Sequence, residues 1–450
     1  MPMTNRQTPL DQPIGQLNRP LAIVGMSCRL PGADGLDEFW RMLQSGASAI
    51  QRMPDSKLNR ELYFDPVKGR RGKTYSDIGG CVAERELDWS ILPIERGEAS
   101  QWDPCHLILC ETAAAACCDA GWDPRNLPLR KGAVFVGHSG GSTLGGEIAY
   151  RSLVNEQVDL ISSIPGFLNS VDDLEGLKSA LLERLQAGRP HRDETGKPLV
   201  DAGFASALIS RALGLTGAHM SIDAACASSM VALALGAASL QTGQSDFAIV
   251  GGASFNKSDS MILFSQAQSC SASGSRPFDE AADGLISSEG YVALVLKTLE
   301  RALADGDRVH AVVRGIGISS DGRGKSLWAP RKEGQYTAIR RAYSSDVTPA
   351  SISMIEAHAT STQVGDATEM EALSQFFGEH CQPGQRIPVG SVKSNIGHTL
   401  ETAGLAGIVK SVLAIQSGVD GHLGIRTQCA QWLLPGRQGR HRRLVLRAGE

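Results

Sequence analysis

Four side chains with reactive chemistry stand at turns far apart along the 450-residue chain: Cys226, His358, Lys393 and His398. Cys226 lies in SIDAACASSMVALALGAASLQTGQSDFAIVGG, residues 221–252, ahead of an apolar small-residue run and a strand-like FAIV. A helix apolar on every face must be buried, and a cysteine at its start meets unpaired N–H groups and the positive dipole end, which favour thiolate. Alone, such a cysteine is more often a small core residue, and each histidine alone is more often a hydrogen-bonded structural residue. Together they divide labour. A thiolate attacks an acyl carbonyl and holds it as a thioester, while two imidazoles donate to developing negative charge or move protons near neutral pH. Lys393 adds positive charge and needs a carboxylate; Glu369 is the nearest plausible one. The set suits acyl transfer followed by carbon–carbon bond formation through an enolate. Metal binding by His358 and His398 lacks a third ligand at useful spacing.

The elements that must position these groups alternate. Strands are expected at 22–24, 133–136, 247–250, 291–296 and 309–313, with helices over 36–43, 111–120 and 299–304. His358 ends a short strand in IEAHATSTQVGDATEMEAL, followed by Thr360 and Thr362. GSVKSNIGHTLETAGLAGIVK runs from a strand through Lys393 and Asn395 to His398 at the head of another small-residue helix. Alternation of this kind implies an α/β fold with largely parallel sheets, and ligands bind such sheets at the carboxyl ends of strands. The Cys226 helix and the His398 helix are a weak internal echo, compatible with a duplicated fold. Residues 151–200 are polar, contain one amphipathic helix over 172–185, and read as a surface insertion. The loop GHSGGSTLGG after the 133–136 strand matches neither the Walker pattern nor GxGxxG, and reads as a close turn near the site. The basic run KGRRGK at Lys68 to Lys73 reads as a solvated loop or a docking point for an acidic partner.

Composition narrows the class. The chain is 42% hydrophobic and 20% charged with a net charge of −4, which gives no general reason to expect nucleic acid. No apolar run reaches bilayer length, so no membrane span is expected. Residues 1–19 lack a hydrophobic signal core and read as a polar leader. Ten cysteines without C-x-x-C pairing form neither a zinc pattern nor a disulfide framework, which places the protein in the cytoplasm with reduced thiols.

The stretches LAIVGMSCRLPGADGLDEFWRML, DAACASSMVALALGAASL, RPFDEAADGLISSEG, EAHATSTQVGDATEME and GSVKSNIGHTLETAGLAG resemble the β-ketoacyl synthase domain of type I polyketide synthases. The resemblance spans roughly Pro20 to Asp420. It implies a thiolase-like fold of two duplicated halves in five αβαβα layers, divided as residues 20–258 and 259–420, and normally a homodimer. It implies a decarboxylative Claisen condensation, in polyketide or fatty-acid synthesis, between an acyl-cysteine and a malonyl group on an acyl carrier protein. No cofactor is held tightly, because the substrates ride on the carrier's phosphopantetheine. By the same resemblance Cys226 is the acylated nucleophile and His358 and His398 serve malonyl decarboxylation. Lys393 orders the site with Glu369 as its partner and Asn395 in support, while Thr360 and Thr362 contact the pantetheine arm. The 151–200 insertion and the DAACASS variant look closer to iterative polyunsaturated-fatty-acid or enediyne enzymes.

Two departures matter. Where the family has Gly-Thr-Gly-Thr after the first histidine, this chain has Ala359, Thr360, Ser361 and Thr362, whose added groups are expected to narrow the pantetheine channel. Residues 421–450 form an atypical tail with six arginines and neither strand periodicity nor a clear helix, where the family has its last strands and an active-site loop. A divergent tail and a lost C-terminus both fit; the abrupt change of composition favours the second, and with it incomplete C-terminal strands. The competing functions are a catalytically impaired partner or scaffold of chain-length-factor type, a truncated remnant, and a thiolase. The last would need a second catalytic cysteine, and the surroundings of Cys429 fit no such motif.

Overall fold

Long runs of Val, Ile, Leu, Ala and Gly that are apolar on both faces belong in the middle of a covered sheet. The chain supplies these in β1 (Leu21–Leu30), β5 (Gly132–Gly137), β7 (Phe247–Ser254) and β8 (Gly290–Thr298). In the computed structural model, residues 17, 19–140, 153, 156–165, 173–187, 201–255, 258–324, 326, 329–343, 347–418 and 431–433 are described. The remaining strands are short: β2 (Ala33–Asp34), β3 (Ile50–Arg52), β4 (Ile78–Gly80), β6 (His219–Ile222), β9 (Ala311–Val313), β10 (Ile355–Glu356), β11 (Ile387–Gly390) and β12 (Gln431–Leu433). The large sheet runs β2-β1-β8-β7-β5-β6, with β9 on β1. The small sheet is β10-β11-β12, and β3 pairs β4 separately.

The expectation of largely parallel sheets needs correction. β5 pairs in parallel with β6 and β7, but β8 is antiparallel to both β7 and β1. In the small sheet β10 and β11 are parallel and β12 is antiparallel. The strands are interspersed with helices α1 (Leu36–Ser45), α2 (Pro104–Asp119), α3 (Leu174–Ala187), α4 (Gly203–Ala212), α5 (Ser228–Gln241), α6 (Ser258–Gln266), α7 (Leu299–Asp305), α8 (Lys332–Ala342), α9 (Gln363–His380) and α10 (Ala403–Gln416). α2 starts where its chemistry says it should: Asp103 accepts from Cys105 N at 2.9 Å, and Pro104 occupies the first helical position.

Five layers follow from the packing. α2 and α4 cover one face of the large sheet, through Leu109, Ala113, Leu208 and Ile209. α5 and α10 cover the other, through Leu233, Ala237, Leu405 and Val409. The far side of α10 meets β10, where Lys410 pairs with Glu356 at 2.6 Å. α9, with α8 packed on it, closes the small sheet through Leu373, Phe376, Phe377, Ile387 and Val389. α5 lies so close to the sheet that a Cβ on Gly137 would come 2.4 Å from Ser229 N. That approach sets the end of β5 directly under the start of the cysteine helix.

β8 and β9, although beyond residue 258, join the first sheet. The helix expected at 172–185 is α3; much of the 151–200 insertion lies outside the described residues, as do residues 1–16 and 18 of the leader. The tail, expected without strand, contributes β12: Gln431, Trp432 and Leu433 pair with Val389, Pro388 and Ile387 along the free edge of β11. Residues 419–430, with Cys429, and 434–450 lie outside the described residues.

Candidate active site

Cys226 sits on the turn between β6 and α5. Ala225 adopts φ 50°, a left-handed backbone that costs a non-glycine residue energy and turns the next side chain inward. Asp223 Oδ1 accepts from Ala225 N at 2.9 Å. Ser228 Oγ accepts from Ala224 N at 2.8 Å and donates to Ala225 O at 2.6 Å. α5 begins at Ser228 rather than at the cysteine. Cys226 therefore stands just outside the first turn, where the helix dipole is weaker. The expected preference for thiolate is also corrected: burial pushes the Cys226 thiol up, and Glu401 adds to this, against a lowering by Lys393.

His398 is not at the head of α10 but five residues ahead of it, separated by a short 3₁₀ turn over Leu400–Thr402. Its backbone is pinned, His398 N to Ile286 O at 2.7 Å and Ser288 N to His398 O at 3.0 Å. Gly397 makes the approach possible, with φ 75° and a Cβ position only 2.0 Å from Ser288 Oγ. The result is His398 Nε2 at 3.1 Å from Cys226 Sγ. The His358 ring stands edge-on to that of His398, centroids 5.4 Å apart at 86°. Burial and then the Lys393 charge lower the pKa of both rings, His358 adding to the effect on His398. Residue 358 is nonetheless open to solvent, which limits its shift, whereas His398 is fully enclosed. Both imidazoles are thus neutral at pH 7 and offer N–H donors rather than acids.

Lys393 is buried at the start of the short helix Lys393–Ile396. Burial lowers its pKa, and Glu356, then Glu369, then Cys226 hold it up. The expected direct pairing with Glu369 is corrected: no ion pair to Lys393 is formed among the described residues. Glu369 instead spends both oxygens on the backbone, accepting from His358 N and Ala359 N at 2.7 Å each. It shapes the histidine turn and reaches Lys393 only through space. Asn395 also faces elsewhere, donating to Ala47 O at 2.9 Å and so tying in the loop after α1.

Thr360 and Thr362 lie side by side, their Oγ1 atoms 3.1 Å apart. The residues that interrupt them are strained, Ala359 at φ 29° and Ser361 at φ 66°. These are conformations that favour glycine. Their side chains are buried, and Ser361 Oγ accepts from Arg276 N at 2.6 Å and meets Ser275 Oγ at 3.2 Å. The expectation that Ser361 narrows a channel is therefore corrected, since its hydroxyl stitches the turn to residues 275–276.

Sequence reasoning missed two carboxylates. Glu356 pairs with buried Lys410, accepts from Val392 N at 2.6 Å and is the foremost support of the Lys393 charge. A lysine inside an otherwise apolar helix was the available signal, because such a charge is buried only when paired. Glu401 accepts from Ser139 Oγ, and from Ser254 Oγ at 2.6 Å. Among the described residues no group of His, Cys, Asp and Glu could hold a metal, and no helix is long and apolar enough to cross a membrane. The nine described cysteines are free thiols.

Five layers, with a cysteine, two histidines and a lysine converging from strand-to-helix turns, define a thiolase-like protein. Family models described as "Beta-ketoacyl synthase, N-terminal domain" and "Beta-ketoacyl synthase, C-terminal domain" match residues 18–302 and 310–420, and the chain belongs to the β-ketoacyl synthase family of acyl-transferring condensing enzymes. It is 35% identical over 419 residues to the pikromycin polyketide synthase component PikAII of Streptomyces venezuelae, covering 92% of this chain and 10% of that protein. It is 33% identical over 402 residues to the PKS-NRPS hybrid synthetase ATPKS of Aspergillus niger, covering 88% of this chain and 20% of that protein. Among solved structures, the ketosynthase from module 6 of the bacillaene synthase of Bacillus subtilis 168 superposes with TM-score 0.69 at 31% identity, over 88% of this chain and 61% of that one. The PfaC keto synthase–chain length factor superposes with TM-score 0.74 at 28% identity, over 88% and 42%. The chain therefore spans a small part of its curated relatives, and likeness to both structures does not single out an iterative type.

Proposed function

We propose that this chain is the condensing domain that extends an acyl chain by two carbons within polyketide synthesis. The observation that carries the reading is the 3.1 Å approach of His398 Nε2 to Cys226 Sγ beside a second imidazole. Cys226 sulfur attacks the acyl carbonyl and releases the thiol of the incoming carrier, leaving an acyl-cysteine thioester. A malonyl thioester then loses carbon dioxide. The electron pair of the broken bond passes into an enolate, whose oxygen accepts hydrogen bonds from the neutral rings of His358 and His398. Its carbon attacks the cysteine-bound carbonyl, the thioester bond breaks with its electron pair going to sulfur, and the departing thiolate takes a proton from solvent to restore the thiol. Lys393 keeps positive charge near the sulfur and both rings. Thr360 and Thr362 flank the pantetheine arm, and the substrates are carried by an acyl carrier protein, with no tightly bound cofactor.

A cytoplasmic homodimer is part of the same proposal. β6 is the edge of the large sheet, and Met220 on it is 49% exposed, an apolar edge suited to a second copy. The test supplies an acyl thioester and a malonyl thioester and measures β-ketoacyl product against carbon dioxide released. Equal amounts of both are expected. Folded protein that takes up the acyl group and forms no product contradicts the condensation.

A further inference from the structure

The basic run 68–73 takes no part in the site chemistry, yet hydrogen bonds tie the residues that follow it to the segment holding the threonine turn. Residues 65–73 hold Lys68, Arg70, Arg71 and Lys73 against the single carboxylate of Asp65. Arg70 lies 3.5 Å from Asp65 and Lys68 sits over the Tyr75 ring, while Arg71 is exposed with no charged partner among the described residues. The loop is not loose. Gln266 of α6 donates to Arg70 O at 2.8 Å and to Lys73 O at 3.3 Å. Around it stand three exposed apolar side chains, Leu62 at 58%, Val67 at 55% and Leu263 at 69%. A fixed basic loop with an apolar border is how a surface recognises an acidic protein partner, charge steering the encounter and apolar contact holding it.

Two links connect this surface to the turn assigned to the pantetheine arm. Tyr75 donates to Cys270 O at 2.8 Å and Ser76 to Ser271 O at 2.6 Å. The same segment then reaches the threonine turn, Gly284 N donating to Ser361 O at 2.9 Å and Arg276 N to Ser361 Oγ at 2.6 Å. We infer that the 62–73 loop, with Leu263, is the docking surface for the carrier domain. Its cations face the arm's phosphate and the acidic residues around it, while the arm runs toward Thr360 and Thr362. This rests on the condensing reading given above.

The experiment uses the full chain and its Arg70→Glu/Arg71→Glu variant. The first arm is acylation of Cys226 by a small soluble acyl thioester, which needs no carrier and reports the condensing reading alone. The second is binding of an excised, phosphopantetheine-bearing polyketide carrier domain at low and high salt. The variant should acylate as the parent does and bind the carrier about tenfold or more weakly, with a flatter salt dependence. Unchanged carrier binding overturns the docking surface, and so does absence of saturable carrier binding by the parent while acylation proceeds. Acylation lost equally in parent and variant contradicts the condensing reading instead. Because the substituted residues are exposed, loss of helical signal is not expected; Lys68→Glu/Lys73→Gln gives a second variant if the first fails to fold.

Discussion

Cys226 should behave as a poorly ionised thiol, and its alkylation by iodoacetamide across pH measures this directly. An ordinary cysteine, with a pKa of about 8.5, is about 3% thiolate at pH 7. Burial pushes Cys226 above the ordinary value, so less thiolate is present than in an ordinary cysteine and the rate should still be rising with pH beyond 8. The neighbours have opposite signs. Lys393 pulls the thiol down, so Lys393→Met should push it higher still and slow alkylation at pH 8. Glu401 pushes it up, so Glu401→Gln should speed alkylation at the same pH. A plateau by pH 7.5, or an unchanged rate in folded Lys393→Met protein, would refute the assignment of burial and Lys393 as opposing controls.

Two further outcomes follow from buried charges. Lys410→Met strands the Glu356 carboxylate that it meets at 2.6 Å, and should cost roughly 3–5 kcal/mol in urea unfolding. A cost below about 1 kcal/mol contradicts the pairing. Asp366, whose Oδ2 accepts from Phe278 N at 2.7 Å, has its pKa pushed up to about 6, chiefly by burial. Between pH 4 and 6 the folded chain keeps a proton the unfolded chain loses, so stability falls as pH rises and the deficit of roughly 2–3 kcal/mol is complete above pH 6. Asp366→Asn should therefore be more stable than the parent at pH 7–8 and equal to it below pH 4, as read by thermal unfolding; the opposite order would show that the charged form is favoured.

The buried strands and the apolar α5 were legible because composition alone dictates double-sided burial, as in FAIVGG over 247–252. The direction of β8 was not, since an apolar run reads the same whether its neighbour is parallel or antiparallel. The reactive groups were legible by type and turn position. Their partners were not: Glu369 and Lys393 were matched by charge, but a carboxylate near a turn is claimed first by unpaired backbone N–H groups, here those of His358 and Ala359. Ser361 misled for a similar reason. An added hydroxymethyl reads as bulk in sequence, and only the left-handed turn reveals that it points to Arg276 N. Thiol ionisation was not legible either. Sequence gives the cysteine's place beside a helix, whereas the two-residue step from Cys226 to Ser228 and the surrounding atoms decide the balance.

Condensation at this site requires one sulfur to be the acyl acceptor. Intact-mass measurement after incubation with a soluble acyl thioester, followed by peptide mapping, tests this most directly. One acyl increment confined to the peptide containing Cys226, and absent in Cys226→Ser, is the predicted result. An increment on another of the thiols, or none in protein shown to be folded, would contradict it.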